Sequence, residues 1–102
     1  MRFPDRKHFT SFTYPGSLFT YPNDMNALGA ITGFCNVGFV NHGFVRSPDG
    51  TLTSFDPPGA GTMPHMGQGT FPFSINLFGA ITGLVVNTDG SGHGFVRLAP
   101  SK

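Results

Sequence analysis

Residues 26–33 of this chain read NALGAITG, and residues 76–83 read NLFGAITG, so the two stretches are separated by an offset of 50 residues. A second match, HGFVR, occurs at residues 42–46 and again, unchanged, at residues 93–97, with an offset of 51. Self-similarity at a period of this length is typical of repeat architectures, in which each repeat forms one supersecondary unit. The sequence therefore predicts two copies of one structural unit.

A third match lies N-terminal to the first two. Residues 10–16 read TSFTYPG and resemble residues 53–59, which read TSFDPPG, at an offset of 43. The change of offset from 43 to 50 indicates an insertion after Gly59, which we assign to a Gly- and Met-rich loop at residues 60–72. The predicted organisation is an N-terminal extension (residues 1–9), a closing strand plus the first repeat (residues 10–57), and the second repeat (residues 58–102).

Both repeats have the residue pattern of β-structure. Short runs of β-prone residues alternate with turns built from Gly, Pro, Asn and Asp, and no window carries a helical period. Connections this short force neighbouring strands to pair in antiparallel order, as a meander. The prediction is an all-β chain of two four-stranded antiparallel meanders. In the first repeat, the predicted strands are Tyr21–Asn26, Gly29–Asn36, Val40–Ser47 and Thr51–Asp56.

The third strand of the first repeat indicates how the sheets are used. Successive side chains of a strand alternate between its faces, so His42, Phe44 and Arg46 lie on one face. Gly43 and Val45 lie on the other face, and both faces thus carry apolar or small residues. A solvated face would be polar, so we expect each sheet to be stacked between two others.

The two repeats differ in their fourth strand. The second repeat stops after its third strand, Phe95–Leu98, whereas a copy of the fourth-strand sequence lies at Thr10–Tyr14. We expect Thr10–Tyr14 to complete the last sheet of a neighbouring chain, so that a trimer or tetramer of two-blade chains closes a β-propeller. The alternative is a monomer in which the two meanders pack face to face as a two-sheet β-sandwich.

The composition excludes several classes of protein. The chain has 6 Lys and Arg against 5 Asp and Glu, so it lacks the basic stripe that a nucleic-acid binder needs. It has no run of about 18 apolar residues, so we expect no membrane span. Cys35 is the single cysteine, which allows no disulfide within the chain and no cysteine-based zinc cluster. Residues 1–7 lead into no hydrophobic segment, so we expect no intact secretory signal.

The repeated histidines are candidate ligand-binding residues. His42 and His93 occupy equivalent positions in the two HGFVR motifs. An imidazole there either hydrogen-bonds a neighbouring strand or, in an assembled ring, faces a channel and binds a metal or an anion. The structural interpretation is favoured, because a catalytic constellation seldom recurs once per repeat.

The repeated arginines are candidates for the same surface. Arg46 and Arg97 each lie four residues after the repeated histidine, on the same face of the strand. One interpretation is solvation at the end of the strand or a salt bridge to Asp49 or Asp56. The other is recognition of a carboxylate or of sugar hydroxyls, since the guanidinium fork suits planar partners.

The inserted loop holds a further candidate cluster. Met63, His65 and Met66 place two thioethers around one imidazole, a ligand set that suits a soft ion such as Cu(I). The favoured interpretation is a surface loop, or a loop that packs its methionines against a neighbouring chain. No metal, cofactor or catalytic residue is predicted, and Cys35 aligns with Val85, so we expect a buried apolar side chain there.

Taken together, these motifs resemble the bacterial extracellular HAF-type repeat, with His-Gly-Phe in place of its His-Ala-Phe motif. The resemblance rests on residues 24–33, 42–46 and 53–60 in the first repeat and on residues 74–83 and 93–97 in the second. It implies β-propeller repeats of secreted or cell-surface proteins, and hence an extracellular or cell-surface location. It implies no established catalytic residues.

The function expected from the sequence is that of a non-catalytic repeat module. Copies of the chain would assemble into a ring for binding or scaffolding, with glycans or cell-surface polymers as ligands of the loops and of Tyr14, Tyr21 and Phe71. One alternative is a structural protein in which strand exchange propagates into a fibre. The other is a small metal-dependent enzyme that uses His65 or the paired histidines.

Overall fold

A computed structural model describes residues 10–99 and builds them from strands, turns and loops. The predicted all-β fold is confirmed. No helix that could cross a membrane occurs between residues 10 and 99. The predicted N-terminal extension, residues 1–9, lies outside the described residues. The strands are β1 (Phe19–Met25), β2 (Ile31–Val37), β3 (Val40–Arg46), β4 (Leu52–Phe55), β5 (Gly69–Ile75), β6 (Ile81–Val86) and β7 (Gly92–Arg97).

The strands form two antiparallel meanders joined at one point. In the first repeat β1, β2, β3 and β4 pair in sequence order, and in the second repeat β5, β6 and β7 do the same. A single parallel pair, Asn41 with Gly69, joins β3 to β5. The seven strands thus form one mixed sheet that does not close on itself.

The parallel pair was not predicted, and it depends on backbone geometry at Gly69. This residue has a φ of 119°, and a Cβ there would overlap the Asn41 main chain. Only glycine allows the two backbones to approach so closely. The Asn41 amide also donates to the carbonyl of Gln68 at 3.2 Å. The end of the inserted loop is thereby fixed against the first repeat.

The first strand of each repeat begins earlier than predicted. β1 begins at Phe19, two residues before the predicted start, and β5 begins at Gly69, inside the range 60–72 assigned to the inserted loop. Each strand contains a proline, which normally argues against a paired strand. Here the register shifts just after Pro22 and just after Pro72, and such bulges accommodate proline.

One face of the first repeat lies against the second repeat. Thr32 pairs directly with Val45, and Phe34 pairs with Gly43, so these four side-chain positions share a face, which we call the leading face. A Cβ on Gly43 would lie 3.0 Å from the Cγ atom of Pro72 in β5. The leading face therefore forms one half of the junction between the repeats.

The opposite face of the second repeat forms the other half of the junction. We call this face the trailing face. In the second repeat it carries Thr70, Pro72, Ile75 and Phe95, and in the first repeat it is the face opposite to the leading face. Ile75 is 5% exposed, and Thr70 and Pro72 are fully buried. The two meanders thus pack leading face against trailing face, and Thr32, Thr70, Pro72 and Ile75 are buried at their junction.

Candidate functional site

His42 and Asp56 form a polar contact at the junction. Asp56 directly follows Phe55, which pairs with Gly43, so its carboxylate lies beside His42 of the neighbouring strand. The His42 Nδ1 and Asp56 Oδ2 atoms are 2.7 Å apart, and both side chains are about one third exposed, at 29% and 36%. The other oxygen, Oδ1, accepts a hydrogen bond from the Thr70 hydroxyl at 2.6 Å. Asp56 therefore connects the third strand of the first repeat to the first strand of the second.

His93 has a different environment. It is exposed, and its Nε2 lies 3.3 Å from the Ser91 hydroxyl. The position equivalent to Asp56 would belong to a fourth strand, and β7 pairs only with β6 among residues 10–99. The two histidines, although equivalent in sequence, do not form one site in the single chain.

Arg46 and Arg97 each lie over a phenylalanine. The Arg46 guanidinium carbon is 5.2 Å from the centroid of Phe12, and that of Arg97 is 4.8 Å from the centroid of Phe55. These distances fit cation–π contacts. Within residues 10–99 the one contact between a basic side chain and a carboxylate is that of His42 with Asp56, so neither arginine forms the salt bridge to Asp49 or Asp56 that was one interpretation.

Asp49 belongs to a turn rather than to a ligand site. The amide of Thr51 donates to its carboxylate at 2.9 Å. This bond and the Thr51 side chain lower the pKa of Asp49, with a smaller contribution from the charge of Arg46. The residue is fully exposed, so its role is to stabilise the turn between β3 and β4.

The loop cluster is divided between two environments. The His65 ring stacks on Phe39 with 4.0 Å between centroids, and its amide donates to the Phe39 carbonyl at 3.2 Å. Met63 and Met66 are 49% and 63% exposed. Among the described residues, no three His, Cys, Asp or Glu side chains lie close enough to hold a metal ion. The loop therefore packs through His65 onto the β2–β3 turn and leaves its methionines at the surface.

Gln68 is a structural residue that the sequence analysis missed. Its side chain is 3% exposed; Oε1 accepts the Met63 amide at 3.1 Å, and Nε2 donates to the Thr88 carbonyl at 3.0 Å. It fixes the inserted loop to the β6–β7 turn. The insertion has no counterpart in the first repeat, so the repeat pattern carried no signal for Gln68.

Cys35 is buried, as predicted from its alignment with Val85. It is 0% exposed, and its thiol lies 3.6 Å from the His42 carbonyl. Burial, together with the nearby negative charge of Asp56, raises the pKa of Cys35 to about 11. A neutral, enclosed thiol is a poor nucleophile, because the thiolate is the reactive form.

The three aromatic residues predicted to meet a glycan differ in exposure. Tyr21 is 53% exposed and lies beside Phe19, with 5.0 Å between ring centroids. Phe71 is half-buried against Phe34. Tyr14 is half-buried and lines a cleft with Val37, His42 and Ser54. Tyr21 is therefore the most exposed of the three.

A larger cleft lies at the outer edge of the second repeat. It measures about 250 Å³ and is lined by residues 55–58 on one side and by Phe95, Val96 and Arg97 on the other. In the first repeat, the corresponding edge of β3 is paired with β4. The cleft thus adjoins the edge of β7 that has no strand partner within residues 10–99.

Comparison with protein-family models, with curated proteins and with solved structures finds no match to this chain. The resemblance to the HAF-type repeat therefore stays a prediction from the sequence.

Proposed function

We propose that this chain is a non-catalytic repeat module that assembles with copies of itself into a closed β-propeller ring for binding or scaffolding. Each chain contributes two stacked meanders, one per repeat, and three or four chains complete the ring. Thr10–Tyr14 of each chain is the fourth strand beside β7 of its neighbour. An exposed sheet edge is a template for such strand addition.

The position of Phe12 carries this proposal. Phe12 packs edge-on against Phe44 at 5.9 Å and lies under Arg46. Phe55, at the end of β4, packs in the same way against Phe95 at 6.0 Å and lies under Arg97. Phe12 thus contacts the first repeat in the same way as Phe55, at the end of β4, contacts the second repeat.

The equivalence of Phe12 and Phe55 supports donation to another chain. β4 belongs to the first repeat, and its last residue, Phe55, packs on the second repeat. By the same relation, Thr10–Tyr14 belongs to a repeat that precedes the first, and its residues have no strand partner within residues 10–99. The second repeat of another copy, with its cleft beside β7, supplies that place.

A binding role is supported better than a catalytic one by the side chains at the candidate positions. Both oxygens of Asp56 are engaged, one by His42 and one by Thr70. Cys35 is buried with a raised pKa. The exposed aromatic pair of Phe19 and Tyr21 suits the apolar face of a sugar ring, so a glycan is the ligand class we propose.

Light scattering after size exclusion tests the assembly. The chain should elute at three or four times its 10.9 kDa mass. Deleting residues 1–15 should abolish the oligomer, whereas deleting residues 1–9, which leaves Thr10–Tyr14 intact, should not. A variant with both Ser11→Pro and Thr13→Pro keeps Phe12 but removes ladder donors, and it should also dissociate.

Three results would contradict the proposal: a monomeric chain, an oligomer unaffected by loss of residues 1–15, or an oligomer unaffected by the two prolines. A polydisperse, growing species would instead indicate an open, fibre-forming assembly. A glycan array, with Tyr21→Ala as the matched variant, tests the ligand class separately from the assembly.

A further inference from the structure

The structure also points to the surface through which neighbouring copies dock. We infer that the leading face of the second repeat takes the trailing face of the first repeat of a second copy, and so reproduces the junction inside the chain. The partner is this same chain. This inference rests on the proposed ring, but it concerns packing of sheet faces rather than strand donation.

The faces concerned are defined by the repeat. Thr82 pairs with Val96 and Leu84 pairs with Gly94, so these four residues form the leading face of the second repeat. The trailing face of the first repeat carries three residues equivalent to Thr70, Pro72 and Ile75 of the second. They are Thr20, Pro22 and Met25.

Exposure of the equivalent residues indicates that each face lacks a cover at one position in the single chain, around Met25 on the trailing face and around Val96 on the leading face. Ile75 is 5% exposed at the internal junction, whereas its equivalent, Met25, is 62% exposed. Val45 is half-buried, whereas Val96 is 66% exposed. An exposed apolar patch of this kind marks an interaction surface.

Gly43 and Gly94 give the same indication at the level of atoms. A Cβ on Gly43 would lie 3.0 Å from Pro72 Cγ and 2.9 Å from the Phe55 ring. A Cβ on Gly94 would meet nothing nearer than 3.9 Å. The open space above Gly94 is therefore a docking position. Pro22 and Phe12 of another copy would fill it, as Pro72 and Phe55 fill the space above Gly43.

The polar contacts of the internal junction can also form between copies. Asp24 accepts the amide of Ile75 at 2.8 Å, and the Asn26 side chain donates to the Asn76 carbonyl at 2.9 Å. At the proposed junction, Ser74 takes the place of Asp24, and its hydroxyl is also an acceptor. Asn76 takes the place of Asn26. No charged side chain among the named face residues has to be desolvated.

Docking of a leading face on a trailing face is head-to-tail, so each copy offers one of each. Such heterologous contacts form a ring when the rotation between copies closes. The rotation that relates the two repeats in the chain would then recur between chains. Face docking and strand donation would join the same pair of neighbours.

A charge-complementation experiment tests the face contact. Val96→Lys and Met25→Glu should each weaken self-association at least tenfold, because a charge is placed in an apolar interface. The double variant should recover most of the association, since the introduced lysine of one copy would face the introduced glutamate of the next. Thr88→Lys, on the exposed β6–β7 turn, is the matched control and should associate as the unaltered chain does.

A second variant covers the case in which these substitutions disturb folding. Gly94→Val should leave the far-UV circular dichroism spectrum unchanged, because the single chain has room for the side chain. It should still prevent assembly. If Gly94→Val and both single charge variants associate normally, the inferred surface is wrong.

The experiment separates this inference from the proposed strand donation. If deletion of residues 1–15 dissociates the oligomer while the face variants do not, strand donation holds and face docking fails. If the face variants dissociate the oligomer while the deletion does not, face docking holds and strand donation fails.

Discussion

At the scale of single residues, Asp56 connects the repeats through two unequal contacts. Its contact with His42 is partly exposed, and even a pair of full charges contributes only about 0–1 kcal/mol at an exposed site. Its contact with Thr70 involves a fully buried hydroxyl, and hydrogen bonds to charged groups contribute about 1.5–3 kcal/mol. The Thr70 contact should therefore dominate.

We predict that Thr70→Val lowers the free energy of unfolding by about 1–3 kcal/mol, measured by urea denaturation. Combining it with Asp56→Asn in a double-mutant cycle should give a coupling energy of about 1 kcal/mol or more. Thr62→Val, at an exposed loop position, is the control and should change stability by less than about 0.5 kcal/mol. A coupling energy near zero would mean that Asp56 does not connect the repeats through Thr70.

Sequence reasoning reached some of these residues and missed others for a physical reason. The burial of Cys35 could be predicted because its repeat equivalent is Val85. The bond between Asp56 and Thr70 could not, because it depends on how the end of one strand meets the next repeat. The stacking of Arg46 on Phe12 likewise needs the position of a segment outside the strands.

At the scale of secondary-structure elements, the recurring Ile-Thr-Gly has a steric cause. Gly33 lies opposite Pro22, and a Cβ on it would overlap the Tyr21 carbonyl oxygen. Gly83 stands in the same relation to the Phe71 carbonyl oxygen. The glycine allows the bulged, proline-containing strand to lie close to its neighbour, and so each repeat needs it.

We predict that Gly33→Ala costs at least about 3 kcal/mol of folding free energy, since main-chain atoms must move to admit the methyl group. Thermal unfolding followed by circular dichroism measures this cost. Gly92→Ala is the matched strand control, because its Cβ would contact only the flexible Leu84 side chain. Equal stability of the two variants would contradict the steric explanation.

The strands of the first repeat were predictable, whereas the start of the second repeat was not. Alternation of residue types and turn residues placed β2, β3 and β4 within two residues of their observed bounds. The start of β1 was also placed within two residues, whereas the start of β5 was missed because residues 69–72 were assigned to the inserted loop. The parallel pair at Gly69 depends on one backbone angle, which composition does not reveal.

At the scale of the whole molecule, both repeats have exposed apolar positions on a sheet face, and the outer edges of β1, β4 and β7 have no strand partner within residues 10–99. Burying apolar area contributes about 25 cal/mol per Å², and a small domain has little such area to bury. If neighbouring copies cover these surfaces, part of the stability of each chain comes from association. Stability must then depend on concentration.

We predict that the melting temperature rises with protein concentration. A tenfold increase in concentration should add roughly 1 kcal/mol per chain to the stability of a small closed ring. For a domain of this size, that free energy corresponds to a shift of about 4–8 °C. Scanning calorimetry of a dilution series measures the shift, with Gly94→Val as the control whose melting temperature should not depend on concentration. A melting temperature of the unaltered chain that stays constant over a hundredfold dilution would mean that the sheets are stable without a neighbour.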